Sequence, residues 1–155
     1  MPLLVSDAML TEIGRITVYQ SEIEDIMALC IRELLRLDEG RGNILTLKMS
    51  FGERMRVLDS LLRDEFGEDH EQVQKFDDFS KQANAAHQRR NQLAHSVWAS
   101  GQDLEPNTAT RIKVNQSAQT LCEPVTLEDL KKQSRLMGCL HGLICDIRYY
   151  EARAD

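Results

Sequence analysis

The sequence predicts a mainly α-helical fold, a four-to-five-helix up-and-down bundle with a small β-hairpin inserted before the last helix. Apolar residues recur at steps of three and four along four long segments, which is the period of an amphipathic helix. Capping residues stand at the start of several of these segments. Two short β-prone runs separate the third segment from the fourth. The 155 residues fit one domain, spanning 1–155, that is large enough to bury a sizeable core.

The first helix is predicted over residues 6–37. Ser6 can cap the first backbone N–H groups, and Asp7 suits the positive end of the helix dipole. The glycines within residues 39–43 are expected to end this helix, because glycine readily adopts the left-handed conformations found at helix C-termini. The apolar residues that follow fit either a short turn or a short helical piece: Ile44, Leu45 and Leu47.

Two further helices are predicted in the middle of the chain. One begins at Ser50, which forms an S-x-x-E capping box with Glu53, and breaks at residues 67–69. The next runs from about His70 to about His95. These two helices, like the first, each have one apolar stripe that can face a common core.

A hairpin and a final helix complete the prediction. Residues 96–100 and 110–114 are β-prone, and residues 101–107 between them have the composition of a turn. The last helix starts near Thr126, where Thr126 and Asp129 form a weaker variant of the capping box. Short connections between long helices favour an up-and-down bundle.

The composition argues against several classes of function and binding site. The net charge of −6 argues against a protein that coats nucleic acid by bulk electrostatics, although it permits a small basic cleft. Neither a secretory signal nor a membrane-spanning stretch is recognised, so we expect a cytoplasmic protein that does not bind membranes. The cysteines lack C-x-x-C spacing, and we predict reduced thiols and neither a metal site nor a cofactor. They are Cys30, Cys122, Cys139 and Cys145.

The third helix breaks its own apolar pattern at Arg90. On a helical wheel Arg90 falls near the middle of the buried stripe. A guanidinium stays charged, and burying it unpaired costs several kcal/mol. Three explanations are open: a structural bridge to a buried carboxylate, a wet cleft, or contact with another subunit.

A polar strip lies beside that stripe. His87, Asn91 and His95 follow steps of four, which places them on one side of the helix. Arg90 and His95 are roughly 140° apart on an ideal helix. In the simplest alternatives, His95 only caps the helix C-terminus and His87 is a surface residue.

The segment Arg90-Asn91-Gln92-Leu93-Ala94-His95 matches an R-x4-H motif and resembles the motif region of HEPN domains (higher eukaryotes and prokaryotes nucleotide-binding). The following Ser96-Val97-Trp98 is similar to the usual sequel in bacterial members. The helix start Ser50-Phe51-Gly52-Glu53, with Leu58-Asp59-Ser60-Leu61-Leu62, resembles the preceding helix of such proteins. The resemblance covers most of the chain in architecture and the motif region in detail.

The resemblance implies a function. HEPN proteins are typically homodimers whose motif helices meet at a shared cleft. Many are metal-independent endoribonucleases of toxin–antitoxin, phage-defence or RNA-processing systems, and such toxins often travel with a nucleotidyltransferase-like antitoxin partner. By this resemblance Arg90 and His95 are the catalytic pair, with Asn91 and His87 as supporting polar residues.

Basic residues outside the motif offer a possible RNA-binding rim, namely Arg89, Arg111 and Lys113. The main alternative is a non-catalytic module for dimerisation, nucleotide binding or protein interaction, in which the motif is structural. A DNA-binding regulator is a weaker alternative, because the chain is acidic and has no clear helix-turn-helix.

Overall fold

The computed structural model describes residues 5–99, 107–114 and 120–148. The elements follow in the order α1 (Asp7–Leu34), α2 (Glu39–Thr46), α3 (Phe51–Phe66), α4 (Glu71–Ala94), β1 (Val97–Ala99), β2 (Thr108–Val114), β3 (Thr120–Thr126) and α5 (Leu127–Arg148). This confirms the mainly α-helical fold with a small β insertion before the last helix. The predicted turn over residues 101–107 lies outside the described residues, apart from Asn107. No helix in the described ranges combines the length and apolarity needed to cross a membrane.

Side-chain contacts give the direction of the first four helices. α1 and α3 run parallel, since Glu24 pairs with Arg54 and Arg36 pairs with Glu65. α2 returns along α1 between them, because its start lies near Arg32 and its end near Arg54. α3 and α4 are antiparallel, as the ring contact of Phe51 with His87 and the ion pair of Arg63 with Asp77 demonstrate.

The last helix packs mainly on the first. α5 runs parallel to α1, because Tyr19 lies against Gly138 while Glu33 pairs with Arg148 near the far end. The chain therefore alternates up and down through α1 to α4, and the sheet leads it back to the start of an upward α5. Side chains from all of the long helices share one apolar core that includes Ile16, Leu58, Phe79 and Leu140.

The first helix does not end as predicted. α1 stops at Leu34, and Arg36 takes the left-handed conformation (φ 53°) that was expected of a glycine. Gly40 and Gly42 lie inside α2, so the prediction that they end the first helix is wrong. A Cβ at Gly42 would stand 1.9 Å from Cγ of Arg32. The glycine therefore serves close packing of α2 on α1.

The other predicted helix boundaries are confirmed. Ser50 and Glu53 form a reciprocal capping box at the start of α3. Thr126 and Asp129 do the same before α5, with Asp129 N–H donating to Thr126 Oγ1 at 3.1 Å. α4 extends from His70 at its N-cap to His95 at its C-cap. The capping residues predict these boundaries correctly because each capping hydrogen bond joins residues within one helical turn of each other.

The β insertion has one strand more than predicted. The sheet is antiparallel with order β1-β2-β3. β3 was not predicted. It contains Pro124, a residue that strands tolerate at the edge of a sheet, and β3 is an edge strand. Directly opposed residues share a face, so one face carries the buried pair Ala109 and Val125. Trp98, Arg111 and Glu123 lie in one row on that same face.

Candidate functional site

The predicted motif lies at the C-terminal end of α4. Arg90 stands among the buried residues of this helix, which are Gln72, Val73, Phe76, Phe79, Ala83, Ala86 and Leu93. The residue as a whole is half-buried, and its Nε is fully buried with no hydrogen-bond partner among the described residues. Arg90 therefore interrupts the buried stripe of α4, as the helical wheel predicted.

Arg90 is held by an amide rather than by a carboxylate. Its Nη1 donates to Oδ1 of Asn91 at 2.9 Å. Within the described part of the chain, no carboxylate comes within salt-bridge distance of Arg90, in contrast to Arg54, Arg63 and Arg89. Nη2 is neither hydrogen-bonded to the described residues nor fully buried. One edge of the guanidinium is therefore available to an external anion.

Asn91 links Arg90 to His87. The Asn91 Nδ2 lies 2.9 Å from Nε2 of His87. Because Oδ1 of Asn91 accepts from Arg90, its Nδ2 must donate, and Nε2 of His87 must accept. This hydrogen-bond pattern assigns a neutral His87 whose proton is on Nδ1. That Nδ1 is buried and has no hydrogen-bond partner in the part of the chain that the structure describes.

The environment of His87 favours the neutral form. Its ring stacks on Phe51 of α3, with centroids 4.2 Å apart and planes 7° from parallel. Burial lowers the pKa of His87 from its ordinary 6.5, the positive charge of Arg90 lowers it further, and the carboxylate of Glu24 opposes both effects. His87 was predicted as a supporting residue of the site. In the structure it connects Arg90, through Asn91, to Phe51 of α3.

A second polar group near His87 was missed by the sequence analysis. Glu24 of α1 accepts from Gln20 Nε2 at 2.7 Å and from Arg54 Nη1 at 3.3 Å. The other terminal nitrogen of Arg54 donates to the backbone oxygen of Thr46 at 3.1 Å. Glu24 and Arg54 are 30 positions apart, so no local spacing pairs them. This group joins α1, α2 and α3, and Phe51 of α3 is the residue on which the His87 ring stacks.

His95 does not join this chain of hydrogen bonds. It is exposed, and its backbone N–H donates to Asn91 O at 3.1 Å as the helix C-cap. Its ring makes no hydrogen bond or ion pair with Arg90 among the described residues, and the side chain of Asn91 contacts His87 instead. The predicted pair Arg90–His95 is therefore close in sequence, but no hydrogen bond or ion pair joins the two side chains in the described part of the chain.

The suggested basic rim is partly neutralised inside the fold. Arg89 Nη1 donates to Glu123 Oε1 at 2.9 Å, and Arg111 Nε donates to Oε2 at 2.9 Å. The hydrogen bonds from Arg111 and Arg89 hold the pKa of Glu123 below its ordinary value. Arg111 is 9% exposed, whereas Lys113 is exposed. Of the three, Lys113 alone is free of this ion-paired cluster.

The described residues contain no group of three or more His, Cys, Asp or Glu side chains placed to hold a metal ion. No protein-family model, curated protein or solved structure matches the chain. The HEPN resemblance therefore rests on the motif and on the helical architecture that surrounds it.

Proposed function

We propose that this chain is a HEPN-like, metal-independent endoribonuclease of the cytoplasm, acting as a homodimer within a toxin–antitoxin or phage-defence system. The observation that supports it is Arg90. A half-buried guanidinium has no carboxylate partner among the described residues, while one of its nitrogens stays accessible. Such a group suits an anion supplied from outside, and a phosphodiester of RNA is the anion that the motif resemblance implies.

The residue types fit the cleavage of RNA by transesterification. The 2′-oxygen attacks the adjacent phosphorus and loses its proton to a base, while the P–O5′ bond breaks and the departing oxygen gains a proton. The products are a 2′,3′-cyclic phosphate and a 5′-hydroxyl. An imidazole such as His95 can accept or return these protons near neutral pH. Arg90 would stabilise the charge that grows on the phosphate oxygens.

A homodimer would explain the separation of Arg90 and His95. The two side chains point about 140° apart on an ideal helix, and nothing joins them within one subunit among the described residues. Two α4 helices meeting across a two-fold axis would bring Arg90 of one subunit to His95 of the other. The supporting residues Asn91 and His87 would then orient Arg90 from within its own subunit.

The test is cleavage of RNA by purified protein in excess chelator. Arg90→Ala and His95→Ala should each lower the cleavage rate by about a hundredfold or more, the usual contribution of such groups. Arg56→Ala and His141→Ala are matched controls, because Arg56 is exposed on α3 and His141 lies on α5. Both controls should cleave like the wild-type protein.

Two results would overturn the proposal. One is cleavage that continues unchanged in folded Arg90→Ala and His95→Ala proteins. The other is cleavage that chelator abolishes. Circular dichroism and melting temperatures establish that each variant is folded before its rate is compared.

A non-catalytic binding or dimerisation module is the second candidate, and one observation favours it. The hydrogen bonds from Arg90 through Asn91 to His87 connect α4 to the stacked Phe51 of α3, which is also what a structural role requires. Under this alternative Arg90→Ala would lower the melting temperature or break the dimer, and the wild-type protein would not cleave RNA.

A further inference from the structure

An open groove of about 780 Å³ runs between the parallel helices α1 and α5. This volume is in the range of small-molecule sites. Two of its lining residues, Glu12 and Ser134, are polar and only 7% exposed. The groove is on a different pair of helices from the proposed cleavage motif, which is on α4.

Ser134 has an unused hydrogen-bonding group. Hydroxyls inside helices commonly donate to the carbonyl four residues earlier, as Thr11 and Thr17 do in α1. The buried Ser134 makes no hydrogen bond to any described residue. Because Ser134 lines the groove, its hydroxyl can donate to a molecule bound there.

Positive charge exceeds negative charge around this hydroxyl. The groove holds Arg15, Lys131 and Arg135. Nη1 of Arg15 lies 2.8 Å from Oε1 of Glu12, and Nη2 of Arg135 lies 2.8 Å from Oε1 of Glu128. Each of these two positive charges is therefore balanced by a carboxylate. Lys131 has no ion pair with a described residue, so the groove carries one uncompensated positive charge on a chain of net charge −6.

The helical spacing of three of these groups brings them together. Lys131, Ser134 and Arg135 stand at i, i+3 and i+4, which places them on one face of α5. An ammonium, a hydroxyl and a guanidinium all donate hydrogen bonds, and together they match the several acceptor oxygens of a phosphate group. The rest of the groove offers the carboxylate of Glu12 as an acceptor and the ring of Tyr19 as a wall.

We propose that this groove binds a small phosphate monoester whose remaining part carries hydroxyl or amino groups. Lys131, Ser134 and Arg135 bind the phosphate. Glu12, held by Arg15, accepts a hydrogen bond from the rest of the ligand. The proposal is independent of RNA cleavage, since it uses none of the residues of α4.

The experiment measures binding of inorganic phosphate and of glycerol 3-phosphate by calorimetry and by the rise in melting temperature, at constant ionic strength with chloride as the reference anion. Both probes should bind, and glycerol 3-phosphate should bind more tightly because it adds hydroxyl groups. Lys131→Ala and Ser134→Ala should each weaken binding by roughly tenfold or more, the loss expected for one hydrogen bond to a charged group.

Lys132→Ala is the matched control, because Lys132 is an exposed neighbour on α5 that does not line the groove. It should bind like the wild-type protein, and loss of phosphate binding in Lys131→Ala, where Arg90 is intact, separates this site from the proposed cleavage site. The proposal fails if phosphate raises the melting temperature no more than chloride does. It also fails if Lys132→Ala loses binding as fully as Lys131→Ala does, or if Lys131→Ala and Ser134→Ala both bind like the wild-type protein.

Discussion

Both ends of the Asn91 side-chain amide are hydrogen-bonded, one to Arg90 and the other to His87. Asn91 therefore determines which group donates and which accepts on either side of it. Its oxygen accepts from Arg90, so its nitrogen can only donate to His87. A protonated His87 would present a donor to that nitrogen, and the hydrogen bond would be lost. The position of Arg90 is therefore coupled to the protonation of His87, which lies three positions before the first residue of the R-x4-H motif.

This coupling predicts a loss of stability in mild acid. Burial lowers the pKa of His87 below its ordinary 6.5, so the unfolded chain takes up this proton at a higher pH than the folded protein does. The stabilisation is present above pH 6.5 and is lost as pH falls through the lower, folded-state value. We expect the free energy of unfolding, measured by urea denaturation, to decrease between about pH 7.5 and 5.5.

The control for this prediction is His87→Gln, whose side-chain oxygen can still accept from Asn91 but cannot be protonated in this range. Its unfolding free energy should depend less on pH than that of the wild-type protein over the same interval. Equal pH dependence in the two proteins would contradict the assignment of a neutral, half-buried His87.

At this scale the sequence predicted some of the site and not the rest. Arg90 stood out because a break in a helical stripe is visible within one helix. The stacking of His87 on Phe51 and the pair Glu24–Arg54 join separate helices, and a single sequence without tertiary contacts holds no periodic signal for them. The separation of Arg90 and His95 on α4, by contrast, follows from helical spacing alone.

Among the elements, α2 best illustrates how packing overrides local preference. Glycine readily adopts the left-handed conformations found at helix C-termini, which motivated the prediction that residues 39–43 end a helix, and it lowers helix stability by about 1 kcal/mol relative to alanine. α2 nevertheless contains Gly40 and Gly42, because the short helix lies so close to α1 that a side chain at position 42 would overlap Arg32. β3 likewise forms although it contains Pro124, since it pairs with β2 and buries Val125.

Two glycine substitutions test this interpretation of α2. Gly42→Ala should destabilise the protein by about 1–3 kcal/mol, because the added methyl forces Arg32 and the helix apart. Gly14 lies in α1 with nothing within 4 Å of an added Cβ, so Gly14→Ala should stabilise by up to about 1 kcal/mol through helix propensity. Urea denaturation of both variants measures the two effects, and opposite signs are the expected result. Stabilisation by both substitutions would contradict the close-packing explanation.

At the scale of the whole molecule, the proposed homodimer makes a prediction about mixed subunits. If Arg90 of one subunit works with His95 of the other, a dimer has two composite sites. A heterodimer of Arg90→Ala and His95→Ala subunits then contains one site in which both residues are lost and one in which both are intact. Equal mixing with free exchange makes half of the dimers heterodimers, so cleavage should return to about a quarter of the wild-type rate.

The expected recovery depends on exchange, which light scattering and a size-tagged subunit can follow in the same samples. Mixing each variant with itself is the control, and it should stay inactive. If both residues act within one subunit, no dimer in the mixture holds an intact pair, and the mixed sample stays as inactive as its components. Activity that remains absent after exchange is complete would therefore exclude the shared site, even if each single variant had already shown that Arg90 and His95 are needed. Recovery, by contrast, would explain why one chain keeps these two side chains apart on α4.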